Sequence, residues 1–346
     1  MKALLLSKYR HLEIADLPAP VVNPGEVLIG VAACGICGSD VHGYDGSSGR
    51  RIPPIVMGHE AAGRIAAIGA GVTHLTEGDR VTFDSTIYCG ACKHCLRGEV
   101  NLCDQRQVLG VSCSEYSRAG AFAEYVAVPA RIVYRLPENI SFAEAAMLEA
   151  VAVAIHAVSL VQIPSESTAL VLGAGTIGLL VLQALCVAGC SRVYVADVDR
   201  SRLKMAEELG ATGVLSAETD VVAQVLGLTG GAGVDVAVEA VGRNETVGAA
   251  IGAVRKGGSV ILVGNISREV TLPLQKVVTR QIRLQGSCAS AGEYPRAIEL
   301  MAKRAIQVEP LITAVAPLDE GPQWFERLYA RERNLMKVVL TPGLIS

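Results

Sequence analysis

The chain has 346 residues, 51% of them hydrophobic and 19% charged, with a formal net charge of −3. That length supports a sizeable core divided over two domains. Charges of both signs are scattered with no basic run, which excludes a nucleic-acid or membrane-surface partner and points to a small molecule.

The opening "MKALLLSKYR" has only four apolar residues in a row, too few for the apolar core of a secretory signal, so a cytoplasmic setting is expected. In that reducing environment the ten cysteines are not expected to form a disulfide scaffold, and any that cluster are metal candidates. Residues 1 to about 140 are rich in short alternating stretches such as "EVLIGVAACG" and "GDRVTF", separated by Gly and Pro turns, and predict a β-rich domain. "SFAEAAMLEAVAVAIHAVSL" follows, with Ser141 and Glu144 in capping-box spacing, and predicts one long apolar helix bridging the domains. Beyond it, strand candidates at 169–173, 192–197, 213–216, 234–239, 259–264 and 282–287 alternate with helix-length segments, which implies a parallel, doubly wound sheet of dinucleotide-binding type. Residues 288–346 have more helical character and are expected to fold back on the N-terminal domain. The expected division is 1–152 with 288–346, and 153–287.

Residues 168–191 carry no charge and match a membrane span by length, but glycines interrupt the run after a five-residue apolar stretch, the pattern of a buried strand turning into a buried helix. "VLGAGTIG" places Gly173, Gly175 and Gly178 in G-x-G-x-x-G spacing, with Thr176 and Ile177 opening the helix. Gly173 permits the tight turn, Gly175 lets backbone approach a pyrophosphate, and Gly178 allows the helix to pack on the strand. Asp197 ends the next strand, nineteen residues past Gly178, where a carboxylate accepts from ribose hydroxyls and repels a 2′-phosphate. NAD is therefore expected rather than NADP. Arg202, five residues on, is a candidate to lie against the adenosine.

"CGACKHCLRGEVNLC" supplies Cys89, Cys92, Cys95 and Cys103, four thiolates suited to a closed, structural zinc site. His94 within it is expected to be a solvated loop residue. A second constellation runs through "CGICGSDVHG" and "VMGHEAAG": Cys37 and His59 are a thiolate and an imidazole suited to zinc, and Glu60 and Glu149 are carboxylates in apolar surroundings. "HEAAG" lacks the second histidine of a zinc-protease helix, which excludes that hydrolase class. Tyr44, Asp45, Arg50, Arg51 and Glu115 are polar candidates for substrate contact or, on the blander reading, solvated loop residues.

Taken together and in order, "GICGSDVH", "MGHEAAG", the four-cysteine lobe, "MLEAVAVAIHA" and "GAGTIG" resemble the zinc-dependent medium-chain dehydrogenases/reductases over nearly the whole chain. Within that family the sequence is most similar to the sorbitol and galactitol-phosphate dehydrogenase branch, because Glu149 stands where typical alcohol dehydrogenases have a cysteine ligand. The resemblance implies a GroES-like catalytic domain, a Rossmann NAD-binding domain and an active-site zinc in the cleft between them. It implies zinc ligands at Cys37 and His59, with Glu60 and Glu149 sharing the remaining coordination, one directly and the other through water or intermittently. It further implies Ser39 as the hydroxyl that receives the alcohol proton and His42 as the histidine that passes it to solvent. The expected activity is NAD-dependent oxidation of a polyol or secondary alcohol to a ketose or ketone, with two zinc ions per chain, in a homodimer or homotetramer paired near "QIRLQGSCA". Amino-alcohol oxidation of threonine dehydrogenase type and a non-catalytic NAD-binding protein are the competing expectations.

Overall fold

The computed structural model describes residues 1–343. Two compact units are present: residues 1–149, 294–302 and 308–343 form one, and residues 150–293 with 303–307 form the other.

In the first unit the strand Glu26–Gly35 is the organiser. Its near-continuous buried face pairs antiparallel with Glu60–Ile68 on one side and with Tyr125–Pro129 and Lys337–Thr341 on the other. The sheet has seven strands: Val133–Arg135, Arg80–Phe83, Glu60–Ile68, Glu26–Gly35, Lys337–Thr341 and Ile312–Pro317 in order, with Tyr125–Pro129 paired to Glu26–Gly35 off that path. Leu4, Leu6, Ile29, Phe83, Phe122 and Phe325 are among the buried side chains of its core, with Phe122 and Phe325 edge to face at 5.7 Å. Residues 288–343 carry the helices Tyr294–Ala302 and Gly321–Tyr329, and also two parallel strands, Ile312–Pro317 and Lys337–Thr341, that extend this sheet.

Register places the functional side chains. Gly35 pairs with both Glu60 and Val339, so the end of Glu26–Gly35, the start of Glu60–Ile68 and the segment from Lys337 converge.

The capping box at Ser141 is formed, Ser141 Oγ accepting from the Glu144 N–H at 3.2 Å and Glu144 Oε2 from the Ser141 N–H at 2.8 Å. The expected single helix is instead two, Phe142–Ala145 and Leu148–Ser159. The Met147 N–H bonds the Glu144 carbonyl, three residues back, and this tighter turn closes the first piece before the second begins. The second piece carries the chain from one unit into the other.

The second unit is an all-parallel six-stranded sheet in the order Gly213–Ser216, Arg192–Asp197, Thr168–Leu172, Val234–Glu239, Val254–Leu262, Arg283–Gly286. This is the doubly wound dinucleotide-binding order, whose reversal lies between the third and fourth positions. The uncharged run 168–191 resolves into the buried strand Thr168–Leu172 and the helix Thr176–Val187. No helix among the described residues is long and apolar enough to cross a membrane.

Candidate active site

The chain leaves Gly35 and turns into the helix Gly38–Tyr44 with Cys37 as its N-cap. Cys37 Sγ accepts from the Ser39 N–H at 3.5 Å, and Asp40 Oδ2 reaches back to the Cys37 N–H at 3.2 Å, so the thiol is fixed at the helix start. Gly35 makes room for the next ligand: a Cβ there would lie 2.5 Å from Glu60 Oε2. Ligand atoms of Cys37, His59 and Glu60 all lie within 4.8 Å of one another, His59 and Glu60 buried and Cys37 half-buried. A thiolate, an imidazole and a carboxylate so gathered fit three protein ligands of a zinc ion that keeps a fourth position open. Glu149 is not a member of that group.

The charges around the group favour a cation. Asp40, fully buried, receives Arg51 Nη2 at 3.0 Å and Nε at 3.3 Å, and its Oδ1 faces His59 Nδ1 at 3.4 Å. That last separation is an ion-pair distance only, for His59 Nδ1 makes no hydrogen bond. Burial acts to raise Asp40, but His59 and Arg51 outweigh it and hold the carboxyl well below the usual carboxylate range. Burial acts to lower His59, yet Asp40 and Cys37 lift it well above an ordinary imidazole. A pocket that draws a proton onto this ring draws a divalent cation in its place.

Glu60 meets Lys337 Nζ at 2.5 Å, both side chains buried. Burial opposes the Lys337 charge, but Glu60 and Cys37 more than offset it and the ammonium is stabilised. Glu149 retains some solvent exposure by surface area, yet protein crowds its carboxyl enough for desolvation to dominate. That desolvation, aided by Glu60 and Asp84 and opposed by His59, pushes it up to about 7.

Ser39 is exposed, its Oγ 3.5 Å from His59 Nε2 and accepting from Arg51 Nη2 at 3.3 Å. His42 follows three positions later, on the same helix face, and is exposed. Arg51 is neither a solvated loop residue nor free for a substrate: it is buried against Asp40, and a Cβ on Gly43 would lie 2.0 Å from its Cγ. Tyr44 is likewise buried, its hydroxyl donating to the Arg10 carbonyl at 2.9 Å and to Glu326. Asp45 accepts from the Tyr329 hydroxyl at 3.0 Å.

The four-cysteine lobe closes on itself. Cys95 Sγ lies 3.9 Å from Cys89 Sγ and 3.6 Å from Cys92 Sγ, close to the edge of about 3.8 Å that a zinc–sulfur tetrahedron requires. Backbone N–H groups of Cys89, Ala91, Cys92 and Gln105 point at the sulfurs over 3.2–3.4 Å. N–H groups of Cys95 and Asp104 draw Cys92 down to about 6, while burial and the neighbouring cysteines push Cys95 up to about 12. A shared cation is what lets all four ionise together. His94 is not simply solvated: its Nδ1 sits 2.9 Å from Glu99 Oε2.

In the second unit Gly173 has φ 97°, and a Cβ on Gly178 would lie 1.7 Å from the Gly173 carbonyl oxygen. Nothing stands near a Cβ at Gly175, the N-cap of Thr176–Val187, which leaves open the face a phosphate would need. Asp197 accepts from the Ala174 N–H at 2.6 Å and the Asp199 N–H at 2.8 Å, tying the glycine turn to the end of its own strand. Arg202 Nε lies 3.9 Å from Asp199 Oδ2.

Sequence reasoning missed Asp40 and Lys337 and gave Arg51 the wrong role. Asp40 lies in the quoted "CGSDVH" and was legible as a capping-box acid; the burial of Arg51 and the approach of Lys337, 277 residues from Glu60, left no local signal.

Residues 23–138 match the model of the alcohol dehydrogenase GroES-like domain, and residues 176–303 that of the zinc-binding dehydrogenases. The sorbitol dehydrogenase of Bacillus subtilis is 34% identical over 99% of this chain and 98% of its own. A zinc-binding dehydrogenase from Sinorhizobium meliloti 1021, solved bound to NADP, superposes with a TM-score of 0.91 at 32% identity over 99% of both chains. Galactitol-1-phosphate dehydrogenase from Escherichia coli gives 0.91 at 27% identity, over 99% of this chain and 100% of its own. With both family models matched in order, and with both metal-ligand groups assembled, this chain is an oxidoreductase that belongs to the zinc-dependent medium-chain dehydrogenases/reductases.

Proposed function

We propose that the protein oxidises a secondary hydroxyl of a polyol to the ketone, giving a ketose, with NAD as acceptor and with one catalytic and one structural zinc per chain. The observation that carries this reading is the Cys37–His59–Glu60 group, a ligand set with an open position, in a chain similar to a sorbitol dehydrogenase and to a galactitol-1-phosphate dehydrogenase. Zinc supplies a Lewis acid that acidifies an alcohol hydroxyl, and NAD supplies the hydride acceptor.

The chain's own residues do the rest. Asp40 sets the electrostatics of His59, and Arg51 keeps Asp40 ionised while presenting a donor to Ser39 Oγ. Ser39 takes the hydroxyl proton and His42, one turn along the helix and exposed, delivers it to water. Glu60 would be the direct third ligand in this reading, with Lys337 as the counter-charge on its carboxylate. Glu149, held near neutrality, acts through water. Gly173, Gly175, Thr176, Ile177 and Gly178 form the pyrophosphate turn; Asp197 receives the ribose hydroxyls, and Arg202 flanks the adenosine. A cytoplasmic setting agrees with ten free cysteines, and the outer edge of Arg283–Gly286, last strand of its sheet, is open for pairing in a homo-oligomer.

A panel of polyols, sugar-alcohol phosphates, threonine and simple alcohols, each assayed with NAD and with NADP, tests this. Turnover of a polyol with NAD is expected. Preference for threonine would move the enzyme to amino-alcohol oxidation, and preference for NADP would remove the role given to Asp197.

A further inference from the structure

Glu239 ends the strand Val234–Glu239 and has no exposed surface, and among the described residues it has no cationic partner. An ionised carboxylate in that position is costly unless hydrogen bonds replace its water. They do: Oε1 accepts from the Val241 N–H at 2.9 Å and the Gly242 N–H at 2.8 Å, and Oε2 from the Gly242 N–H at 3.0 Å. The Glu239 carbonyl also accepts from the N–H groups of Val263 and Gly264, both at 2.9 Å. One residue thereby fixes two consecutive loops at the carboxyl ends of the sheet.

The place of these loops gives the arrangement its meaning. Thr168–Leu172 and Val234–Glu239 are the neighbouring strands between which the sheet's connectivity reverses, and ligands of open α/β sheets bind at that crevice. The glycine fingerprint follows the first strand; the Ala240–Gly242 turn follows the second. The two abut, since the Ala240 N–H bonds the Leu172 carbonyl at 2.9 Å and a Cβ on Gly173 would lie 2.6 Å from Val241 Cγ2. On its far side the turn is closed by Gly264, where a Cβ would lie 2.2 Å from Gly242 N.

We infer that Glu239 is a positioning residue for the dinucleotide: its carboxylate sets the Val241–Gly242 turn, and that turn holds the wall of the site facing the glycine fingerprint. This rests on the reading of the second unit as a nicotinamide-dinucleotide site. Neutral glutamine at 239 keeps the shape but turns an amide donor toward the Gly242 N–H, so the turn relaxes while the strand stays paired.

The test is NAD binding by calorimetry and steady-state kinetics on the full-length, zinc-loaded enzyme and its Glu239→Gln variant. The dissociation constant and KM for NAD are expected to rise about tenfold, the loss of a charge-assisted contact, with KM for the alcohol and kcat within about twofold. A folded variant that binds NAD within about twofold of the native enzyme overturns the inference. Native enzyme that binds neither NAD nor NADP overturns the cofactor reading itself. Should the variant fail to fold, amide exchange on the native enzyme decides: slowing at residues 240–242 as well as 173–178 on adding NAD supports the inference, and slowing at 173–178 alone contradicts it.

Discussion

The two metal-ligand groups are built by opposite strategies. The lobe draws its four sulfurs from positions 89 to 103 and satisfies them with N–H groups from residues 89 to 105. The Cys37–His59–Glu60 group joins a helix start to a strand start and is surrounded by ionised side chains: Asp40 with Arg51 beside His59, and Lys337 on Glu60. A closed site needs only local geometry. An open site must stay charged and shaped while one position changes occupant, and distant parts of the chain supply that support.

Substitutions that separate the groups sharpen this contrast. Cys37→Ser is expected to lower kcat/KM by about a thousandfold or more, the loss of a Lewis acid worth several kcal/mol, with the circular dichroism spectrum and melting temperature nearly unchanged. Cys103→Ala should do the reverse in kind, opening residues 89–103 to limited proteolysis and lowering the melting temperature, because structural zinc binding is folding free energy. If both variants lost activity and stability in parallel, the division of labour would be wrong.

In the zinc-free protein Lys337→Met strands the buried Glu60 carboxylate and is expected to cost about 3–5 kcal/mol in urea unfolding, whereas Glu60→Gln with Lys337→Met should cost less than the sum of the single changes. Additive costs would mean that the pair is not coupled. Asp40→Asn keeps shape but removes the charge facing His59, and zinc affinity measured by competition with a chromophoric chelator should fall about 10–100-fold. Lobe zinc in the same protein should be unaffected, and an equal loss at both sites would break the comparison.

Much of this was legible in the sequence. Apolar strands spaced by helix-length segments predicted the parallel sheet, and every one of the six strand candidates overlaps a strand of it, because buried strands leave a local composition signal. The break at Ala146–Met147 left none, since a turn that tightens by one hydrogen bond needs neither Gly nor Pro. The strand Lys337–Thr341 pairs on one side with Glu26–Gly35, from the opposite end of the chain, and no local window carries that pairing. The same limit explains Lys337 and Glu239, whose roles arise from where strand ends meet. Arg51, expected either at the substrate or in a solvated loop, is buried because Asp40 demands a cation and Gly43 leaves space for it.

Elemental analysis of the active enzyme alongside its Cys37→Ser variant tests the central claim most directly. Two zinc ions per chain in the native protein and one in the variant are expected, one for each ligand group. A fully active preparation holding zinc at the lobe alone would contradict the account.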